Sequence, residues 1–201
     1  MAKSVSERSA FTRLRMTESV KPGRLQSTRV YTGRIVSLDV DTVRYPDGSV
    51  GELEMIRHPG ASAVVPFLSD PTGDDPQVLL IKQYRYAAGG YVLEVPAGRL
   101  DAGEDPKHCA ARELKEETGC TAERVEYLTT IYTTPGFTDE KIHLFMATGL
   151  AAGETKQEAD EFLEPQPMPL SQALKKIQAG EIQDGKTAIA LLFAAGFRLS
   201  R

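Results

Sequence analysis

The stretch Ala97–Cys120, AGRLDAGEDPKHCAARELKEETGC, decides the reading of this chain. Asp105-Pro106 opens a helix, because Asp suits the N-cap and Pro the first helical position. Gly119 closes it as the residue that accepts a left-handed conformation. Inside the helix, Glu113 and Glu117 project about 40° apart, and Glu116 lies about 60° to the other side of Glu113. Three carboxylates therefore share one face within one turn. Like charges at this spacing destabilise a helix by a few tenths of a kcal/mol. They also crowd its C-terminal half, where the dipole disfavours anions. Taken alone, three glutamates describe a solvated acidic face. Ala110, Ala111 and Leu114 nevertheless give the helix a compact apolar side. Arg112 stands four residues before Glu116 and can hold that carboxylate. Hard oxygen ligands so arranged suit Mg²⁺ or Mn²⁺.

Outside this stretch the composition is ordinary. The chain has 201 residues, a hydrophobic share of 41% and a charged share of 26%. That suits one globular domain, or a domain with a small extension, with enough chain to bury a core without staples. The net charge of −4 argues against a general nucleic-acid coat. No apolar run is long enough for a membrane helix; Thr187 to Phe197, the richest, reads as a core helix. Cys109 and Cys120 form no zinc spacing and no disulfide framework, which favours a reducing cytoplasm. No secretory h-region is visible. Residues 1–24 hold six basic and two acidic residues. Glu7 and Glu18 argue against a transit peptide, and a frayed tail over 1–28 is expected.

Arg29 to Val40 is rich in β-branched residues. Tyr45-Pro46-Asp47-Gly48 is a turn, since Pro presets φ and Gly accepts a positive one. Val50 to Ile56 returns from it. Residues 29–58 are thus expected to form a small antiparallel β subdomain, and 59–201 the main domain. There, strands are expected at Ala63 to Leu68, Gln77 to Tyr84, Tyr91 to Val95, Glu126 to Tyr132 and Lys141 to Ala147. Leu170, Ala173, Leu174 and Ile177 recur at helical spacing up to Gly180. Asp184 to Ala195 reads as a buried helix. The whole predicts an α/β (α+β) protein whose mixed sheet is packed by helices.

Gly98, five residues, Glu104, seven residues, then Arg112-Glu113-Leu114-Lys115-Glu116-Glu117-Thr118-Gly119-Cys120 resembles the complete Nudix box, with every fixed Gly, Glu and Arg filled. Only Cys120 departs, where the pattern takes a bulky aliphatic residue. The resemblance implies a Nudix-type α/β/α sandwich and hydrolysis of a nucleoside diphosphate linked to another group. It implies Mg²⁺ (Mn²⁺ also fits), two or three ions, held by Glu113, Glu116, Glu117 and the Ala97 carbonyl. Gly98, Glu104 and Arg112 then brace the site. Bound ions polarise the pyrophosphate oxygens and activate water.

The flanks resemble ADP-ribose pyrophosphatases over residues 29–165. The residues are Arg57-His58-Pro59-Gly60, Gln83-Tyr84-Arg85, Leu93-Glu94-Val95-Pro96-Ala97-Gly98 and Pro135-Gly136-Phe137-Thr138-Asp139-Glu140, with Pro135 sixteen positions after Gly119. By this resemblance Arg57 and Arg85 hold diphosphate or terminal ribose, which suits the planar guanidinium fork. An ordinary ion pair is the competing role for each. Pro135 and Gly136 form a substrate-side loop, or merely a turn, and Glu140 accepts from ribose or base. Carboxylates bound to metal are poor bases. The acidic loop Glu154 to Glu161 is where the subfamily resemblance places the base, with Glu161 first and Glu158 second. Pro165 and Pro167 depart from the β-rich run expected after that loop.

Three functions remain open. The first is hydrolysis of ADP-ribose to AMP and ribose 5-phosphate. The second keeps the chemistry and takes GDP-mannose or another nucleotide sugar. The third is a non-catalytic domain that senses ADP-ribose, against which the intact box argues. Base-stacking aromatics could be Tyr31, Tyr45 or Phe11, or these could be packing residues. His58 could line the site; His108, His143 and both cysteines read as packing or surface residues. The β subdomain is too small to stand alone, and a homodimer is expected. No nucleic-acid or membrane partner is expected, and the location is taken as cytoplasmic.

Overall fold

The structure is a computed structural model that describes residues 21–154 and 163–198. The two most apolar segments become its central strands. β4 (Ala61–Pro66) and β5 (Gln77–Arg85) are buried along nearly their whole length, as strands covered on both faces must be. β4 lies between β7 (Ala97–Arg99), which is antiparallel to it, and β9 (Lys141–Ala151), which is parallel; β8 (Thr121–Tyr132) completes the sheet beyond β9. β5 is the centre of a second antiparallel sheet, flanked by β6 (Gly90–Glu94) and β10 (Leu163–Pro169). A bridge from Phe67 to Val78 joins the two.

Alternation along these strands feeds two cores. Ala63, Val65, Leu144 and Met146 face α2 (Leu170–Gln178) and α3 (Gly185–Phe193), meeting Leu170, Ala173, Ala190 and Leu191. Val64, Phe145 and Ala147 face the other way, onto Ala110 and Leu114 of α1 (Pro106–Thr118). The sheet is therefore sandwiched between helices, the α/β/α arrangement that the family resemblance implies. Cys120 belongs to the second core, so the position where the box takes an aliphatic residue is still a packing position.

The caps of α1 form as expected. The Asp105 carboxylate accepts from the backbone N–H of Lys107 and His108. Gly119 takes φ +74° and donates its N–H to the Lys115 carbonyl. Ser62 ties the start of α1 to β4 by donating to the Pro106 carbonyl at 2.7 Å.

Three antiparallel strands make the subdomain: β1 (Gly23–Thr32), β2 (Ser37–Arg44) and β3 (Val50–Arg57). The turn at Tyr45–Gly48 is present, with Gly48 donating to Tyr45. Two boundaries differ from the reading of the sequence. β1 begins at Gly23, six residues before the expected 29, so 23–28 is strand and not tail. The expected run from Arg29 to Val40 is broken between Thr32 and Ser37, and becomes two strands. The early start escapes the sequence because β1 is exposed along its whole length and no apolar alternation marks it, and the break is a turn in which the Gly33 N–H donates to the Val36 carbonyl at 2.9 Å. β10 shows how a strand holds Pro165, Pro167 and Pro169. It is an edge strand, and a residue lacking an N–H is tolerated there. Among the described residues no helix is long and apolar enough to cross a membrane.

Candidate active site

α1 presents its carboxylates beneath β7, and Arg112 organises them. Its Nε and Nη2 donate to the two oxygens of Glu104, each at 2.9 Å. Its Nη1 donates to Glu113 at 2.6 Å and to Glu116 at 3.0 Å. Its Nη2 also reaches the Arg99 carbonyl, which fastens the helix to the end of β7. One cation thus serves three carboxylates. The paired bonds from Arg112 hold the Glu104 carboxyl down to a pKa of about 2. Glu117 is 2% exposed and accepts the backbone N–H of Ala97 at 3.0 Å.

Gly98 is required by proximity. A Cβ there would lie 1.9 Å from Glu113 Oε1, so the residue must lack a side chain for the carboxylate to sit where it does. Cys109 lies under the same strand, 3.6 Å from the carbonyls of Gly98 and Arg99. Burial, together with Glu104 and Glu113, pushes its thiol up to about 12, which makes it a poor nucleophile.

Above the carboxylates opens a cleft of about 470 Å³. Its floor carries Ala97, Gly98, Arg112, Glu113, Glu116 and Glu117, and its rim includes Gln83, Arg85 and His58. It continues into a second hollow of about 460 Å³, which adds Tyr132, Glu140 and the Asp184–Lys186 end of α3. There the sign inverts. Glu94, 2% exposed, accepts two bonds from Arg85, at 2.8 and 2.9 Å, and also binds Lys186. These cations hold the Glu94 carboxyl below its usual value despite its burial. Glu140 accepts from Thr133 at 2.9 Å and lies 3.3 Å from His58.

The structure thus brings together Ala97, Gly98, Glu113, Glu116, Glu117, Arg112, Arg85 and Glu140. Glu104 stands beside them, bonded to Arg112, whereas Arg57, Pro135 and Gly136 lie away from the cleft. Arg57 lines neither hollow; it binds Asp39 at 3.0 Å, Asp139 at 3.2 Å and also Asp41. That is the ordinary ion-pair role, in a joint between subdomain and main domain. Pro135 and Gly136 are exposed and line neither hollow. Their turn carries Phe137, whose carbonyl accepts from Ile56 at 2.8 Å, so it docks the subdomain. Glu158 and Glu161 lie outside the described residues.

Sequence reasoning missed Gln83, Glu94 and Lys186 as site residues. Glu94 and Gln83 stood in quoted motifs, but only the fold shows which way they face. Lys186 follows Asp184, the N-cap of α3, and nothing local joins it to residue 94.

Among the described residues no three acidic, His or Cys side chains converge as ligands on one point. Arg112 Nη1 sits between Glu113 and Glu116 and takes the place a cation would take. The donor set still fits a hard divalent ion. It is all oxygen, Gly98 clears space beside Glu113, and the buried Gln83 Oε1 has no hydrogen-bond partner.

Carboxylates suited to divalent ions, opposite cations suited to phosphate, fit a metal-assisted hydrolase of phosphate compounds. Comparison with known proteins gives the family. Residues 58–188 match the NUDIX domain. The chain is 36% identical over 178 residues to the ADP-ribose pyrophosphatase of Bacillus subtilis (strain 168), covering 88% of this chain and 94% of that protein. It is 39% identical over 171 residues to the methanol dehydrogenase activator of Bacillus methanolicus, covering 84% and 90%. A solved structure described as an ADP compounds hydrolase superposes with a TM-score of 0.74 at 22% identity, covering 89% of this chain and 95% of that one, which shows the fold. The chain belongs to the Nudix family and is a Nudix hydrolase.

Proposed function

We propose that this protein hydrolyses the pyrophosphate bond of ADP-ribose, giving AMP and ribose 5-phosphate, with Mg²⁺ (or Mn²⁺) as cofactor. The observation that carries the reading is the continuity of the two hollows. One channel runs from the box carboxylates to Arg85, Glu140 and Lys186, with Ile131, Ile142 and Ile189 lining its far half. ADP-ribose has the same layout, with a diphosphate at its centre and a hydroxyl-rich ribose at each side. The pyrophosphatase name of the Bacillus subtilis relative supports the same substrate class.

In this reading Glu113, Glu116, Glu117 and the Ala97 carbonyl hold two or three ions, which supply charge neutralisation and an activated water when bound. Glu113 and Glu116 turn from Arg112 to do so, and Arg112 keeps its paired bonds to Glu104. Arg85 meets the diphosphate with the nitrogen edge that Glu94 leaves open. Glu140, already an acceptor, takes a ribose or base hydrogen bond. Glu161, with Glu158 second, supplies the base from the acidic loop, whose chain re-enters at Leu163 opposite Gln83. Arg57 and the Pro135-Gly136 turn act on substrate only indirectly, through the seating of the subdomain.

The protein is proposed to act in the cytoplasm as a homodimer. Leu25, Val30, Tyr31 and Ile35 on the subdomain are each more than half exposed, an apolar face suited to a second copy. A monomeric mass by light scattering at micromolar concentration would count against it.

Product identification by mass spectrometry tests the substrate. Purified protein with Mg²⁺ receives ADP-ribose, GDP-mannose, UDP-glucose, NADH and a nucleoside triphosphate. AMP and ribose 5-phosphate formed fastest are expected. Faster cleavage of GDP-mannose would move the specificity. Binding of ADP-ribose without turnover would sink the catalytic reading.

A further inference from the structure

Gln83 occupies a position where the strand calls for an apolar residue. On β5, Leu79, Ile81, Gln83 and Arg85 alternate onto one face. Leu79 and Ile81 are buried apolar side chains, and Arg85 finds Glu94. Gln83 is only 5% exposed, yet its Oε1 has no hydrogen-bond partner. It is the only such buried side-chain atom among the described residues. An orphaned buried acceptor destabilises the fold, and a leucine would fill the site without that cost.

The neighbours show which kind of partner is wanted. Gln83 lines the same hollow as Glu113, Glu116, Glu117 and Ala97. The carboxylates there supply further acceptors. The hollow's own donors, Arg34, His58, Arg85, Arg99 and Arg112, leave this oxygen without a hydrogen bond, so its place is open to a donor brought in from outside. A hydrated divalent cation is such a donor. Mg²⁺ gives up its water reluctantly and keeps several molecules when protein-bound, and the ion's charge strengthens their O–H bonds as donors. We propose that Gln83 is part of the cation site, its side-chain oxygen accepting a hydrogen bond from a water on the bound ion. This rests on the reading that the box carboxylates hold a cation. Gln83 acts as a positioning residue, aiming one water of the ion's shell across the floor of the cleft. The amide carries no charge, so it orients that water without competing for its proton as a carboxylate would.

The test needs no substrate. Metal-free protein is titrated with Mn²⁺ alone, and free ion is followed by electron paramagnetic resonance. Thermal midpoints are read in chelator. Gln83→Leu and Gln83→Met both remove the acceptor while keeping apolar bulk, so one can stand in if the other folds poorly. Each is expected to weaken Mn²⁺ binding by about 10–100-fold, the usual cost of losing an outer-shell partner. The metal-free midpoint should stay level or rise, because the orphan is gone. A merely structural glutamine gives the opposite pattern, with a lower midpoint and unchanged Mn²⁺ affinity, and that result would overturn the proposal. Glu117→Gln serves as the reference. If wild type binds Mn²⁺, Glu117→Gln does not, and both Gln83 variants bind like wild type, only the role of Gln83 fails. If wild type binds no Mn²⁺, the cation site itself fails, and Gln83 with it.

Discussion

The two walls of the cleft are electrostatic opposites built from the same parts. On α1, one arginine serves three carboxylates, since Arg112 binds Glu104, Glu113 and Glu116. Across the cleft, one carboxylate serves two cations, since Glu94 binds Arg85 and Lys186. The first wall keeps surplus negative charge, whereas the second is close to balance, because Lys186 also pairs with Asp184 at 3.0 Å. The difference teaches why burial does not neutralise either group. Each central ion is over-supplied with partners, so its charge survives where desolvation would otherwise suppress it. The acidic surplus suits a metal ion, and the Arg85 and Lys186 side chains that line the second hollow suit a phosphate.

Breaking the acidic wall should have the largest effect. Glu117→Gln removes a charge without changing volume and keeps an oxygen for the Ala97 N–H. Turnover of ADP-ribose under saturating Mg²⁺ should fall by about 10²–10³-fold or more, the scale for losing a transition-state electrostatic contact. Far-UV circular dichroism should be unchanged. Full activity in this variant would remove the metal assignment.

The cationic wall should break as stability instead. Glu94→Leu leaves Arg85 and Lys186 without their shared partner. Removing one member of a buried ion cluster costs about 3 kcal/mol or more, so urea unfolding should show a midpoint well below wild type. Glu94→Gln keeps two acceptor lone pairs and should lie between them. Equal midpoints for all three would mean that the cluster contributes nothing.

Gly98→Ala sharpens the comparison by moving a carboxylate without removing it. The new Cβ displaces Glu113, whose side chain can swing aside, so the stability change should stay below about 1 kcal/mol. Activity should still fall by about 10²-fold, as misplacement of a catalytic group does. A stable and fully active variant would show that the position of Glu113 does not matter.

The smallest effect is read at acid pH. The folded-state pKa of Glu104, about 2, lies below its ordinary value of 4.5. Its contribution is therefore whole above pH 4.5 and is lost as pH falls from 4.5 towards 2. Glu104→Gln should flatten the stability profile in that window and leave the profile above it parallel to wild type. Unchanged slope between pH 4.5 and 2 would mean that the paired bonds to Arg112 carry no linked proton.

Local rules sufficed wherever neighbours in sequence were neighbours in space. The helix limits at Asp105 and Gly119, the turn at Gly48 and the amphipathic helix ending at Gly180 all follow from residues within one turn of each other. The shared face of Glu113, Glu116 and Glu117 follows from helical geometry alone. β1 was legible only in part, because an edge strand exposed on both faces lacks the alternation that marks a buried one. Gln83 was illegible for a related reason. Its strand periodicity gives a face, but only the packed fold shows that the face continues into the carboxylate cleft.

Sequence by itself therefore determined the box, its helix, the oxygen donors and the family they belong to, because each depends on short-range geometry and side-chain chemistry. Tertiary structure decided how the charges are shared. Arg85 lies 9 residues from Glu94, whereas Lys186 lies 92 residues away on another element, and all three meet in one cluster. Arg57, read as a substrate contact by resemblance or as an ordinary ion pair, meets Asp39, Asp41 and Asp139, and the turn of Pro135-Gly136 meets the subdomain through the Phe137 carbonyl. Whether an arginine meets a substrate or an aspartate depends on which strand packs beside it, and such contacts between distant segments exist only once the chain has closed on itself.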